Sequence, residues 1–176
     1  MGFHEIMLEY FRGERVGALL FILPVGLLLV GLAITALKAE RGAFALGLAI
    51  PTALVGVLLI GAGATIGLRT PGQVAALERA HAEDPAAMVA VELPRMRKVN
   101  ANWPRLVAVW AGFVVIGLGL RFGARAEWAH GVGPALILIG ACGLLIDGFA
   151  ERRAIPYTAA LAALAAEQGV ALDPPG

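Results

Sequence analysis

Four long apolar segments, almost free of ionisable side chains, constrain the fold of this chain more than any other feature. They run over Val16–Leu37, Ala43–Leu68, Leu106–Leu120 and Gly131–Phe149. A helix of about 20 apolar residues crosses the roughly 30 Å hydrocarbon core of a bilayer. Runs this long without alternation are helical, and a helix satisfies its own backbone polar groups in lipid. The sequence therefore predicts an all-α fold, a bundle of four transmembrane helices.

Composition agrees with this interpretation. Of the 176 residues, 59% are hydrophobic and only 15% are charged, whereas soluble domains carry about 25% charged residues. We therefore expect a single membrane domain over residues 1–176. The short connections Lys38–Gly42 and Phe122–His130 predict two antiparallel helical hairpins, joined by a long second loop over residues 70–104 and followed by a tail over residues 150–176.

The distribution of basic residues predicts the orientation. Ten of the 14 Lys and Arg residues precede the first segment, lie in the second loop or follow the fourth segment. Loops rich in Lys and Arg stay on the cytoplasmic side of a membrane. We expect both termini, the loop over residues 70–104 and the tail to be cytoplasmic.

Short amphipathic helices are predicted on that side. The N-terminal apolar residues recur at helical spacing, which is typical of a helix lying on the membrane surface. Thr70-Pro71 and Asp84-Pro85 each read as an N-cap followed by proline, so we expect two separate helices near residues 71–83 and 85–99. The apolar stripe of the second could contact the membrane surface or a partner; it consists of Val89, Leu93 and Met96.

Small residues mark the faces on which helices can pack closely. One such face lies on the second segment and another, Ala108 and Gly112, on the third. Either face could serve packing within the bundle, a homo-oligomer or a partner helix. The second-segment face comprises Ala45, Ala49, Ala53 and Gly56, and continues in Gly63 and Gly67. Aromatic residues at the segment ends are expected to be interfacial anchors: Trp103, Trp128 and Tyr157.

Paired motifs are compatible with an internal duplication. Glu9-x-x-Arg12 before the first segment matches Glu92-x-x-Arg95 before the third, and Pro51 matches Pro134. Each unit would hold two segments and both would have the same orientation in the membrane.

The chain lacks the usual carriers of chemistry. It contains no serine, a single cysteine, and three scattered histidines, with no glycine-rich phosphate loop or metal-ligand motif. We therefore predict no catalytic residues, no cofactor and no metal site. Asp147 is the only acid within a segment. It could form an interfacial ion pair with Arg152 or Arg69, or it could carry a proton or ligand.

Three short motifs lie at the predicted cytoplasmic ends of the segments. They are Gly13-Glu14-Arg15-x-Gly17-Ala18, Arg69-Thr70-x-x-Gln73 and Glu92-x-x-Arg95-Met96-x-x-Val99. Together they resemble a group of bacterial four-span integral membrane proteins that has no established activity. The resemblance implies the same architecture, in the bacterial inner membrane. It directs attention to a charged collar, defined as Glu14, Arg15, Arg69, Gln73, Glu92 and Arg95.

Within the collar, Glu92 and Arg95 are one helical turn apart and are expected to pair. The basic residues around them favour contact with anionic lipid, or docking of a partner. The function hypothesis is a non-enzymatic inner-membrane protein acting through helix–helix and cytoplasmic-loop contacts, of the accessory, assembly or toxin-immunity type. Its partners are membrane lipids and a membrane or cytoplasmic protein or a second copy, not nucleic acid. The alternatives are an oligomeric small transporter or channel and, third, an enzyme acting on lipid.

Overall fold

The computed structural model describes residues 2–170 and is helical almost throughout, with no strand in that range. An N-terminal helix α1 (Phe3–Gly17), a π-helical turn (Ala18–Ile22) and α2 (Leu23–Ala39) form one continuous helix. It is followed by α3 (Ala43–Glu83), α4 (Pro85–Gly123) and α5 (Glu127–Glu167). These four long helices form a bundle, and each is long and apolar enough to cross a membrane. The all-α, four-helix prediction is confirmed.

The helices are much longer than a bilayer requires. With 41 residues, α3 and α5 each span about 60 Å, twice the hydrocarbon core. The additional turns lie together at one end of the bundle. We call this end the head; it comprises residues 3–15, 70–105 and 150–170. The last six residues of the predicted tail, 171–176, lie outside the described residues.

The boundary between α3 and α4 was predicted well, but the short helices were predicted wrongly as separate elements. α3 ends at Glu83, and the Asp84 carboxylate caps α4 by accepting a 2.9 Å hydrogen bond from the Ala87 amide. By contrast, Thr70 lies inside α3, and its hydroxyl donates to the Ile66 carbonyl at 2.6 Å. Pro71 and Pro94 are both accommodated within long helices. A proline removes one backbone donor, but each of these helices continues through its proline.

The hydrophobic core lies in the head. The apolar stripe Val89, Leu93 and Met96 is 0% exposed and packs inside the bundle, so it does not face the membrane surface or a separate partner. The apolar face of α1 packs there too, instead of lying on a bilayer. Tyr157 is also 0% exposed and so is not an interfacial anchor. The other large core residues are Met7, Tyr10, Phe11, Met88, Trp103, Leu161 and Leu164.

In the apolar segments, glycine mediates the helix contacts. Gly26 on α2 faces Gly56 on α3, so closely that a Cβ on Gly26 would lie 2.7 Å from the Gly56 carbonyl oxygen. Farther along, Gly63 faces Leu23 and Gly67 faces Leu19. Residue numbers rise along α3 while they fall along the helix that it contacts, so the two helices run antiparallel.

The contact between α3 and α5 is reciprocal. A Cβ on Gly47 would overlap the carbonyl oxygen of Trp128, and a Cβ on Gly131 would overlap that of Phe44. The two contacts involve corresponding positions, because Gly131 lies 84 positions after Gly47 and Trp128 lies 84 positions after Phe44.

The π-helical turn precedes Pro24. Here the Leu23 amide donates to the Ala18 carbonyl, five residues back. Proline lacks an amide hydrogen and its ring crowds the preceding turn, so a widened turn relieves the conflict. The first helix therefore stays continuous, but the side chains on the two sides of the π-helical turn are rotated relative to those of a regular α-helix.

Candidate functional site

The most buried charged group of the described residues is Glu92 on α4, which is 6% exposed. Arg95 donates to it twice, from Nε to Oε2 at 2.7 Å and from Nη2 to Oε1 at 2.5 Å. The Tyr157 hydroxyl on α5 donates to Oε1 at 3.1 Å. The expected pairing of Glu92 with Arg95 is therefore present. The Tyr157 hydrogen bond also links α5 to α4, a contact that the sequence of α4 alone does not predict.

Tyr157 stacks on Tyr10 of α1, with ring centroids 4.6 Å apart and planes 13° from parallel. Burial, followed by the nearby Glu92 charge, raises the pKa of Tyr157. Burial, followed by the Glu14 charge, raises the pKa of Tyr10 to about 12. Hydrogen bonding to Glu92 raises the pKa of Arg95. Both phenols thus stay protonated at neutral pH, where Tyr157 acts as a hydrogen-bond donor and not as an acid.

A second polar group joins α1 to α5. Arg153 extends from α5 across Gly13 and Gly17 of α1, where its side chain occupies the space that a Cβ on Gly13 would need. Its Nη2 lies 3.6 Å from Glu14 Oε1, and its Nε is buried with no hydrogen-bond partner. Gly13 and Gly17 of the first motif therefore make room for the Arg153 side chain. Because Arg153 lies at least 136 positions farther along the chain, sequence spacing gave no indication of this contact.

Asp147 has a partner other than those expected. Its Oδ2 accepts a 2.6 Å hydrogen bond from the Trp110 indole nitrogen on α4. The expected ion pair with Arg152 or Arg69 is not among the salt bridges of residues 2–170. The indole N–H and the carboxylate face each other because Gly143 on α5 leaves space for the Trp110 ring.

The predicted collar is divided among separate clusters. Glu92 and Arg95 belong to the head core, whereas Glu14 pairs with Arg153. Arg15 lies on a groove between α1 and α3, beside Thr70. Arg69 is exposed and Gln73 is half-buried on α3. The residues that complete these clusters, and that were missed from the sequence, are Tyr10, Trp110, Arg153 and Tyr157.

A further cross-helix link lies beside the head core. The Asn100 amide on α4 donates to the Thr158 hydroxyl on α5 at 2.9 Å, and the Trp103 indole donates to the Asn100 amide oxygen at 3.1 Å. Chemically, these clusters hold helices together, because most of their donors and acceptors already have partners. Among residues 2–170, no group of three His, Cys, Asp or Glu side chains could hold a metal ion.

The architecture can be set beside that of known proteins. The resemblance to bacterial four-span membrane proteins stays a prediction from the three short motifs. Comparisons of the chain with protein families, with curated proteins and with solved structures find no match.

Proposed function

We propose that this chain is a non-enzymatic bacterial inner-membrane protein that acts through contacts of its helices and of its head with another protein. The role would be that of an accessory subunit, an assembly factor or a toxin-immunity protein. The basic residues at the head end support a cytoplasmic location for the head and both termini. The partner would be a membrane or cytoplasmic protein, or a second copy of this chain.

The observation that carries this proposal is the open face of α4. In its most apolar 18-residue window, 6% of the residues are buried, against 22% to 28% in the other three long helices. α4 packs mainly on α5 and contacts α3 only slightly. Much of its apolar surface is therefore free to contact lipid or another helix.

Small residues on α4 favour a helix as the occupant of this face. A Cβ added at Gly112 or Gly119 would meet no atom within 4 Å, and Ala108 is exposed. Close approach of backbones stabilises helix pairs in lipid, where apolar burial alone does not. The small-residue face of α3 differs, because Gly56, Gly63 and Gly67 are already packed within the bundle.

Leucine at Gly112 tests this face. We expect Gly112→Leu to reduce partner recovery about tenfold, a loss of about 1.4 kcal/mol of binding free energy. Gly61→Leu is the matched control, because Gly61 on α3 also has open space around it. Both variants would be purified from bacterial membranes in mild detergent, with partner recovery and oligomeric mass measured.

Equal recovery from the two variants, or a wild-type protein that is monomeric and without a partner, would contradict the proposal. A Gly112-dependent dimer mass would identify a second copy as the partner. A Gly112-dependent second polypeptide would identify a different protein.

The alternative function, an oligomeric small transporter or channel, draws on Asp147, which borders a cavity of about 380 Å³ between α1 and α5. The hydrogen bond from Trp110 supports a structural role instead. We expect the wild type to give no more ion flux into proteoliposomes than protein-free vesicles. Asp147→Asn, which keeps an acceptor for the indole, should give the same result. Wild-type flux that Asp147→Asn abolishes would favour the transporter.

A further inference from the structure

Two cavities meet where α1 passes α5 at the edge of the apolar segments. The outer cavity, of about 480 Å³, is bordered by Arg12, Arg152 and Arg153. The inner cavity, of about 380 Å³, is bordered by Phe21, Ile66 and Phe149. Both share a wall formed by Gly13, Val16 and Arg153.

Arg153 at this wall has donors without partners. Its Nε is buried without a hydrogen bond, and its Nη2 lies 3.6 Å from Glu14 Oε1, beyond the usual hydrogen-bond distance. A guanidinium presents five donors that suit the oxygens of a phosphate or carboxylate. An anionic group entering the outer cavity would therefore satisfy donors that the protein leaves free.

The two cavities differ in charge and polarity in the same way as the two parts of a phospholipid: the outer cavity is basic, to suit an anionic headgroup, and the inner cavity is apolar, to suit an acyl chain. The outer cavity has three arginines and a single carboxylate, Glu9. The inner cavity is walled mainly by apolar side chains. Of its two carboxylates, Asp147 accepts a hydrogen bond from Trp110 and Glu14 lies 3.6 Å from Arg153 Nη2. Val16 begins the first apolar segment and Phe149 ends the fourth, so the change in polarity coincides with the expected membrane boundary.

The π-helical turn forms part of the inner wall. Ala18, Phe21 and Ile22 of this turn all border the cavity. Single π-helical turns inside α-helices are frequent at functional sites. Here the widened turn changes the direction of the side chains that follow Gly17, beneath the Arg153 guanidinium.

We propose that the paired cavities bind one anionic phospholipid. Its phosphate oxygens accept hydrogen bonds from Arg153 and from Arg152 or Arg12, and one acyl chain enters the inner cavity beside Phe21 and Phe149. Basic pockets between membrane helices recognise anionic headgroups in this way. The site does not depend on the open face of α4, so it stands apart from the proposed function.

The test compares lipid retention by native mass spectrometry. Protein would be exchanged into mixed micelles holding equal amounts of phosphatidylglycerol and phosphatidylcholine. We expect the wild type to retain a single phosphatidylglycerol in preference to phosphatidylcholine by about tenfold, as the charged contacts require. Arg153→Gln should abolish the preference. Arg125→Gln is the matched control, because Arg125 is exposed in the α4–α5 connection.

A second variant covers the possibility that Arg153→Gln destabilises the fold. Ile66→Trp would fill the inner cavity from α3 without altering charge, and it should lower retention of both lipids. Equal retention of the two lipids by the wild type, or unchanged retention by Ile66→Trp, overturns the proposal. Displacement of the lipid by inorganic phosphate would also overturn it, because it would assign the site to a free anion.

Discussion

Replacing Gly131 with alanine is expected to destabilise the bundle by about 3 kcal/mol, the upper part of the usual range for overpacking. The added Cβ would overlap the Phe44 carbonyl oxygen and lie 2.8 Å from the Leu48 amide nitrogen. Both atoms belong to the α3 backbone, so no side-chain rotation can relieve the overlap. The helices must separate, and the reciprocal contact of Gly47 with Trp128 is lost with them. Equilibrium unfolding in mixed detergent micelles measures the change.

Gly119→Ala is the control, because its expected change in stability has the opposite sign. A Cβ at Gly119 meets nothing within 4 Å, and alanine in a helix is favoured over glycine by about 0.5–1 kcal/mol. We therefore expect this variant to be slightly more stable than the wild type. Similar effects at Gly131 and Gly119 would show that the close approach of α3 and α5 does not contribute to stability.

Arg95→Ala is expected to destabilise the protein by about 3 kcal/mol at neutral pH, because it leaves a buried carboxylate without its cation. The Glu92 side chain is 7% exposed, whereas the Arg95 side chain is 45% exposed. Water can therefore solvate the arginine in the absence of the pair, but not the glutamate. Chemical denaturation at neutral pH measures the effect.

Two variants separate this mechanism from a general loss of surface charge. Lys98→Ala, at an exposed position one turn along α4, should change stability little. Glu92→Gln combined with Arg95→Ala should recover part of the lost stability, because the amide oxygen still accepts from Tyr157. A double variant no more stable than Arg95→Ala, or a loss in Lys98→Ala as large as that in Arg95→Ala, would argue against the buried-charge explanation.

Much of the fold could be predicted from local patterns. The apolar segments located the membrane portions of all four helices, and Asp84-Pro85 located the start of α4. The sequence did not reveal that α3 continues through Thr70 and Pro71. A cap residue followed by proline favours a helix start, but Gly67 and Thr70 are buried in the bundle as part of α3, and this packing outweighs the local preference.

The candidate site, like the fold, was only partly predictable from the sequence. Glu92 and Arg95 are one turn apart on one helix, so their pairing follows from helix geometry. The contacts of Tyr157 with Glu92, of Trp110 with Asp147, and of Arg153 with Gly13 join residues far apart in the chain. Helical periodicity places each residue on a face, but it does not say which other helix covers that face.

The sequence by itself determined that the chain forms four helices long and apolar enough to cross a membrane, and that most charge lies at one end of them. Only the tertiary structure decided which faces meet. In lipid, apolar side chains have no preference between a neighbouring helix and the bilayer, so the fit of glycine faces such as Gly26 on Gly56 selects the pairing. In the head, exclusion of water selects it, and the large side chains of α1, α4 and α5 close around Tyr157. The face of α4 that neither effect covers is where we expect a partner.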